Sequence, residues 1–396
     1  MLKRKVEFIL IPSTLCNLRC KYCYEMDKLG DRARMRLEEL EVVFRRLADF
    51  CNAASISEAR IVWHGGEPLV LPPRYFWRAF EVQKRAFAHT GVEVENVTQT
   101  NLTILDGERL ELLAHGFDLC GVSLDLFGGL RVNHGGSCQE SKTLRNLEVL
   151  RAAGVPVGGI TVLSAANVHR VREIYRFYLE RELGFRLLPL HAGDYASGQW
   201  FEIEPVQTLS ALCLLTDLWL ATKNAPNVYP VVDVIRDVVR AHTERDGTPI
   251  YDRRSWEPMV AIDREGFVYT HEDIHNRSRS YGNLLTTPLQ DLLASEAHER
   301  LACDTERCLD AICGSCRHYG RTCSGLPVAE GGLDVWNRDA DGSTGCTVFA
   351  GLIEHVETRL ANAGLISLET PIRQQRLSMR DGRLRARRSL PLMMSP

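Results

Sequence analysis

The run Val6-Glu7-Phe8-Ile9-Leu10-Ile11, then Cys16-Asn17-Leu18-Arg19-Cys20-Lys21-Tyr22-Cys23, decides how the rest of the chain is read. An apolar segment of strand length leads into three closely spaced cysteines. Three thiolates so placed can hold three irons of a four-iron cubane and leave the fourth iron without a protein ligand. A structural zinc would need a fourth ligand close by, and no histidine or cysteine occurs between Cys23 and Cys51.

The chain has 396 residues, 45% of them apolar, enough for two or three domains or one large barrel with an appendage. A net charge of -3 with 25% charged residues gives no basic field for nucleic acid. No segment has the length and apolarity of a membrane span. The N-terminus enters a strand-like run without a signal-peptide pattern, so the expected location is the cytoplasm. In that compartment thirteen cysteines argue for metal sites over a disulfide framework. They form two groups: the N-terminal triplet, and Cys303, Cys308, Cys313, Cys316, Cys323 and Cys346. Cys51, Cys120, Cys138 and Cys213 stand singly and read mostly as buried filler.

Outward from the first strand, candidate strands at 6–11, 59–64, 93–99, 117–124, 156–162 and 185–190 alternate with amphipathic stretches. Those stretches lie near 36–52, 73–89, 106–115, 140–153 and 168–183. This alternation predicts a largely parallel sheet covered by helices. Gly116, Gly154 and Gly184 stand where left-handed helix caps are expected. In such sheets the loops after the strands face the ligand. The cysteine triplet follows strand one, His64-Gly65-Gly66-Glu67-Pro68 strand two, and Gln99-Thr100-Asn101 strand three. Ser123 and Asp125 end strand four, Thr161 lies at the end of strand five, and His191 and Asp194 follow strand six. Beyond residue 200, helices are predicted at 205–222, 231–243 and 347–361, and a hairpin at 262–269. The arginine-rich tail reads as a solvated or disordered end, or as a surface for an acidic peptide.

The C-x3-C-x2-C triplet, with Tyr22 before its last cysteine, resembles the signature of radical S-adenosylmethionine (SAM) enzymes. The resemblance implies a [4Fe-4S] cluster on Cys16, Cys20 and Cys23, with the amino and carboxylate groups of SAM on the unique iron. Reduction would cleave SAM to methionine and a 5′-deoxyadenosyl radical. Gly65 and Gly66 would admit the methionine part, Glu67 would engage its ammonium, and Tyr22 would face the adenine. Asn101, Ser123 and Asp125 suit the ribose or carboxylate, although Ser123 and Asp125 equally suit strand-end capping.

On spacing alone, Cys313-Gly314-Ser315-Cys316 with Cys323 and Cys346 fits zinc or an iron–sulfur cluster. The region resembles the SPASM extension of radical SAM enzymes, which implies auxiliary [4Fe-4S] clusters. The full pattern has seven cysteines. Here His271 stands where the cysteine after Gly266 is expected, no cysteine lies between Cys213 and Gly266, and Pro327 stands four residues beyond Cys323. These departures remove the inner-cluster ligands and leave Cys313, Cys316, Cys323 and Cys346 for one outer cluster, two clusters in all. Cys303 and Cys308 are open to assisting that cluster, pairing reversibly or sitting on a surface turn.

The implied fold class is α/β, a partial (β/α)6 TIM-type radical SAM barrel followed by a small α+β cluster-binding SPASM-like domain. The expected boundaries are 1–200 for the barrel, 201–260 for a helical bridging region, 261–365 for the SPASM-like domain and 366–396 for the tail. A shortened SPASM with Asp263-Arg264-Glu265-Gly266 upstream resembles the maturases that form three-residue cyclophanes in ribosomally made precursor peptides. The implied reaction abstracts a side-chain β-hydrogen and joins the carbon to an aromatic ring. An electron donor such as flavodoxin or ferredoxin is an implied partner. Arg131, His191, Asp194 and Tyr195 are candidate substrate-lining groups. The alternatives are a peptide epimerase, a thioether-forming enzyme, a serine- or cysteine-oxidising protein maturase, and a non-enzymatic iron–sulfur scaffold.

Overall fold

A computed structural model of the chain describes residues 4–190, 199–255, 257, 259–270, 276–331, 345–369, 371–375, 377–380 and 383–386. His191, Asp194, Tyr195 and His271 lie outside the described residues. The described residues divide into two compact units, one within 4–160 and 257–301, the other within 161–256 and 302–386.

The first unit is built on β1 (Lys5–Leu10), β2 (Glu58–Trp63), β3 (Glu93–Thr100), β4 (Leu119–Ser123) and β5 (Val157–Leu163), which begins in it. Each pairs in parallel with the next, with Phe8 opposite Ile61 and Val97 opposite Leu119. Such pairing needs a crossover, and α1 (Leu37–Ala53), α2 (Pro73–Phe87), α3 (Gly107–His115) and α4 (Glu140–Ala152) supply it. In α1 the residues Leu40, Val43, Phe44, Leu47 and Cys51 recur at helical spacing and are all buried. Phe44 meets Trp63 of β2 at 6.1 Å between ring centroids, and Trp63 meets Phe76 of α2 at 5.4 Å, both edge to face. This aromatic layer packs α1 and α2 onto β2.

Two features differ from the sequence expectation. The predicted hairpin exists as β8 (Met259–Ile262) and β9 (Phe267–Thr270), and β8 also pairs in parallel with β1. The unit's sheet thus continues past β1 through β8 and β9 to β10 (Gly282–Asn283), which is antiparallel to β9. Of the three glycines expected in left-handed caps, Gly154 has φ +72°, whereas Gly116 has φ -103°. A Cβ on Gly116 would lie 2.8 Å from Leu112 O and 2.9 Å from Phe80 Cε2, so close packing requires that glycine. Near Gly184 the left-handed residue is Glu182, at φ +55°.

The second unit holds α5 (Val171–Leu179), β6 (Phe185–Pro189), α6 (Pro205–Ala221), β7 (Val228–Tyr229) and α7 (Val231–Glu244), with β6 and β7 parallel. The short α8 (Leu289–Leu293) belongs to the first unit, and α9 (Glu296–Cys313) begins there. In the second unit α9 is followed by α10 (Leu326–Gly331) and α11 (Thr347–Asn362). Within the arginine-rich tail, Leu377–Arg380 pairs antiparallel with Arg383–Ala386 where a solvated or disordered end was one expectation. Among the described residues, no helix is long and apolar enough to cross a membrane.

Candidate functional site

The cysteine loop after β1 is held by hydrogen bonds rather than by regular structure. Cys16 N donates to Leu29 O at 3.0 Å, Cys23 N to Cys20 O at 3.0 Å, and Thr14 Oγ1 to Lys28 O at 3.2 Å. The loop after β2 packs beneath it. A Cβ on Gly65 would lie 2.2 Å from Ser13 O, and one on Gly66 would lie 2.1 Å from Thr14 O and 2.6 Å from Leu15 O. Both glycines therefore let one backbone lie directly on the other. Glu67, only 3% exposed, braces the junction. Its Oε1 accepts from Leu69 N and Thr100 Oγ1 at 2.9 and 2.6 Å, and its Oε2 accepts from Asn101 N at 2.7 Å. Burial raises its pKa, and these three donors oppose the rise.

The other strand ends also turn toward the cysteines. Asn101 Nδ2 donates to Asn17 Oδ1 at 3.0 Å and lies 3.9 Å from Cys16 Sγ. Asn17 and Thr103, neither of them a candidate site residue from sequence, are joined at 2.7 Å. Ser123 Oγ accepts from Gln99 Nε2 at 2.7 Å. Asp125, 3% exposed, accepts from the Tyr22 hydroxyl and from Arg131 Nε. Arg131, expected among substrate-lining groups, thus sits against Asp125, with Nη1 3.9 Å from Cys20 Sγ. No spacing rule foretells its place beside Cys20, which lies 111 positions away.

Burial pushes the Cys16 thiol up to about 12, with the Leu18 amide opposing the rise and Glu67, Cys20 and Cys23 adding to it. Cys23 rises to about 11, chiefly through burial, and burial also raises Cys20 against the pull of Arg131. Thiols raised this far stay protonated at neutral pH and are poor nucleophiles. They become thiolates when a cation takes the place of the protons. A donor set of three mutually felt soft sulfurs fits iron. Among the described residues, no three His, Cys, Asp or Glu side chains converge as on a single metal ion. A four-iron cluster does not need that convergence, because each thiolate binds a different iron.

In the second unit Cys313, Cys316, Cys323 and Cys346 line one cavity, together with His318, Tyr319, Pro327, Val328, Phe349, Ala350 and Ile353. Cys313 ends α9, Cys316 N donates back to Cys313 O at 2.9 Å, Cys323 N donates to His318 O at 3.0 Å, and Cys346 precedes α11. Burial pushes Cys323 up to about 12 and raises Cys313, whose neighbours Cys323, Cys346 and Cys316 add to the rise. The donor set and its apolar wall fit a fully ligated cluster. Cys303 and Cys308 stand on α9, not on a turn. Arg254 Nη2 lies 3.3 Å from Cys303 Sγ, and Cys308 is buried beside Val328, so neither lines the cavity. Among the four single cysteines, Cys51 and Cys120 are buried, Cys213 is half-buried and Cys138 is exposed.

Residues 10–178 match the Radical SAM superfamily model. A serine-type anaerobic sulfatase-maturating enzyme of Bacteroides thetaiotaomicron is 23% identical over 369 residues, covering 86% of this chain and 87% of that protein. Native anSMEcpe with bound AdoMet and Cp18Cys peptide superposes with a TM-score of 0.68 at 18% identity, covering 91% of this chain and 98% of that one. Streptococcus suis SuiB bound to precursor peptide SuiA gives 0.54 at 15% identity, covering 75% and 66%. The fold is accordingly α/β, a partial (β/α)6 barrel similar to that of those structures, followed by a C-terminal helical domain.

Proposed function

We propose that this chain is a radical SAM maturase that crosslinks a ribosomally made precursor peptide, joining an aromatic carbon to a side-chain β-carbon two residues on. The observation that carries the reading is the pair of cysteine sets. Cys16, Cys20 and Cys23 share one loop at the strand ends, and Cys313, Cys316, Cys323 and Cys346 line one separate cavity. On this reading each set holds one [4Fe-4S] cluster. With SAM bound, one electron from a donor such as flavodoxin or ferredoxin would let the N-terminal cluster cleave SAM to methionine and a hydrogen-abstracting 5′-deoxyadenosyl radical. The chain's own residues bind and orient. Gly65 and Gly66 seat the loop of the three thiolates, Glu67 and Asn101 fix the adjoining strand ends, and Tyr22 presents its ring with its hydroxyl tied to Asp125. Holding one peptide C–H within reach of the abstracting carbon is a positioning task. Forming the crosslink removes two hydrogens from the peptide. One leaves as the abstracted hydrogen atom and the other as a proton, with its electron passing to the outer cluster.

SuiB with its precursor peptide supports a peptide substrate. The sulfatase-maturating relative supports a second reading, oxidation of a serine or cysteine in a protein. Pro327 in place of a cysteine, and the lack of cysteines between Cys213 and Gly266, favour the crosslinking reading. The test is co-expression with the short open reading frame beside this gene, followed by tandem mass spectrometry. A loss of two hydrogens confined to an aromatic residue and the residue two positions on supports the crosslink. An aldehyde in place of a serine or cysteine side chain supports the second reading. An unchanged mass with deuterium at an α-carbon indicates epimerisation, and no SAM cleavage after anaerobic reduction indicates a scaffold.

A further inference from the structure

Arg131 rides on a segment laced to the cysteine loop. Arg19 N donates to Val132 O at 2.7 Å, Lys21 N donates to Leu130 O at 3.0 Å, and Leu18 and Asn133 form an antiparallel bridge. The same segment folds back on itself through Gln139 N to Arg131 O at 2.9 Å. These bonds place the backbone of Arg131 beside Cys20. Its side chain is 15% exposed, its Nε donates to Asp125 Oδ2 at 2.5 Å, and its Nη1 lies 3.9 Å from Cys20 Sγ. Asp125 is itself tied to the hydroxyl of Tyr22. Two edges of the guanidinium are thus committed, one to a carboxylate and one to a thiolate ligand.

We propose that Arg131 is a positioning residue that sets the reduction potential of the N-terminal cluster through Cys20, with Asp125 as its clamp. The inference rests on the reading of Cys16, Cys20 and Cys23 as cluster ligands. Reduction adds one negative charge to the cluster. A buried cation donating to a ligand sulfur stabilises the more negative state and raises the potential. Asp125 opposes it as a fixed negative charge, yet holds the guanidinium in place. The pair therefore makes opposite contributions to one couple. A merely structural role would move both variants the same way. Lysine keeps the charge of Arg131 but lacks the planar fork that serves Asp125 and Cys20 together.

The test is a redox titration of the reconstituted full chain without SAM, followed by electron paramagnetic resonance. The N-terminal signal is identified as the one that changes when SAM is added afterwards. At the potential where half the wild-type N-terminal cluster is reduced, Arg131→Gln should show a reduced-to-oxidised ratio at least about threefold lower. A tenfold change would correspond to about 59 mV for a one-electron couple. Arg131→Lys should recover part of the loss, and Asp125→Asn should move the ratio upward. The outer-cluster signal should stay constant in all three. An unchanged ratio in Arg131→Gln with weakened SAM binding overturns the proposal and makes Arg131 a cofactor-binding group. If Arg131→Gln fails to take up iron, Asp125→Asn decides: a ratio that falls or stays put overturns the proposal. Absence of iron from the N-terminal set in the wild-type protein would overturn the cluster reading itself, a separate failure.

Discussion

The two cysteine sets differ in almost every physical respect. The N-terminal set comes from one short loop and is surrounded by polar groups that are themselves bonded: Asn101 on Cys16, Arg131 on Cys20, and Glu67 beneath. The C-terminal set is gathered from a helix end, a turn and a second helix start, and its wall includes Val328, Phe349, Ala350 and Ile353. Three cysteines in a polar setting would suit a centre that must bind and activate something. Four ligands in an apolar setting suit a centre that passes electrons or holds a fold together.

The largest expected effect separates the two sets outright. Cys20→Ala should lower bound iron from about eight to about four per chain, as expected for two [4Fe-4S] clusters, and abolish SAM cleavage. Cys323→Ala should lose a similar amount of iron yet retain the SAM-sensitive signal. Iron analysis with electron paramagnetic resonance reads both, and SAM cleavage surviving in Cys20→Ala would erase the distinction.

A second pair contrasts how the two regions are braced. A Cβ at Gly66 meets backbone carbonyls of the cysteine loop, whereas one at Gly325, at φ +86°, meets the side chains of Leu309 and Tyr319. Gly66→Ala should therefore displace the loop and cut N-terminal cluster loading severely. Gly325→Ala should cost about 1–2 kcal/mol of left-handed strain and lower the melting temperature by several degrees. Comparable iron loss in both variants would show that the regions are braced alike.

The third effect is electrostatic. Asp237 on α7 bears on Cys323, and burial pushes its carboxyl up to about 6, against the pull of Arg240. A carboxyl raised in this way binds more protons folded than unfolded between its ordinary value and about 6. Stability from this group is complete at low pH and is lost as pH rises through that window. Asp237→Asn should flatten the pH dependence and add no more than about 3 kcal/mol at pH 7. Thermal melts from pH 4 to 8 measure it, and an unchanged slope would contradict the assignment. The smallest effect is expected at Cys308, which packs beside Val328 outside the cavity lining. Cys308→Ala should leave iron content unchanged and cost about 1 kcal/mol.

Much of this contrast is legible in the sequence. The predicted strand at 59–64 is Glu58–Trp63 and the predicted helix at 36–52 is Leu37–Ala53, because strand alternation and helical spacing are local signals. The parallel pairing of β8 with β1 was not legible, since Glu7 and Met259 meet across the length of the chain. The helix α9 was hidden for another reason. Cys303 and Cys308 attract attention as ligands, although Leu301, Thr305, Cys308, Leu309 and Ile312 form a buried helical stripe in which Cys308 packs as a small hydrophobe. At the site, the cysteines and the glycine pair were evident from type and spacing. The placement of Arg131 on Cys20 depends on the segment after β4 bridging to the cysteine loop, a long-range contact with no local signature.

One measurement bears most directly on the division of labour between the two sets. The reconstituted, dithionite-reduced protein is examined by electron paramagnetic resonance with and without SAM, with products quantified by chromatography. The expected result is two [4Fe-4S] signals, of which one shifts with SAM and disappears in Cys20→Ala, accompanied by 5′-deoxyadenosine in the wild type. A single signal, or two signals both indifferent to SAM with no 5′-deoxyadenosine formed, would contradict it.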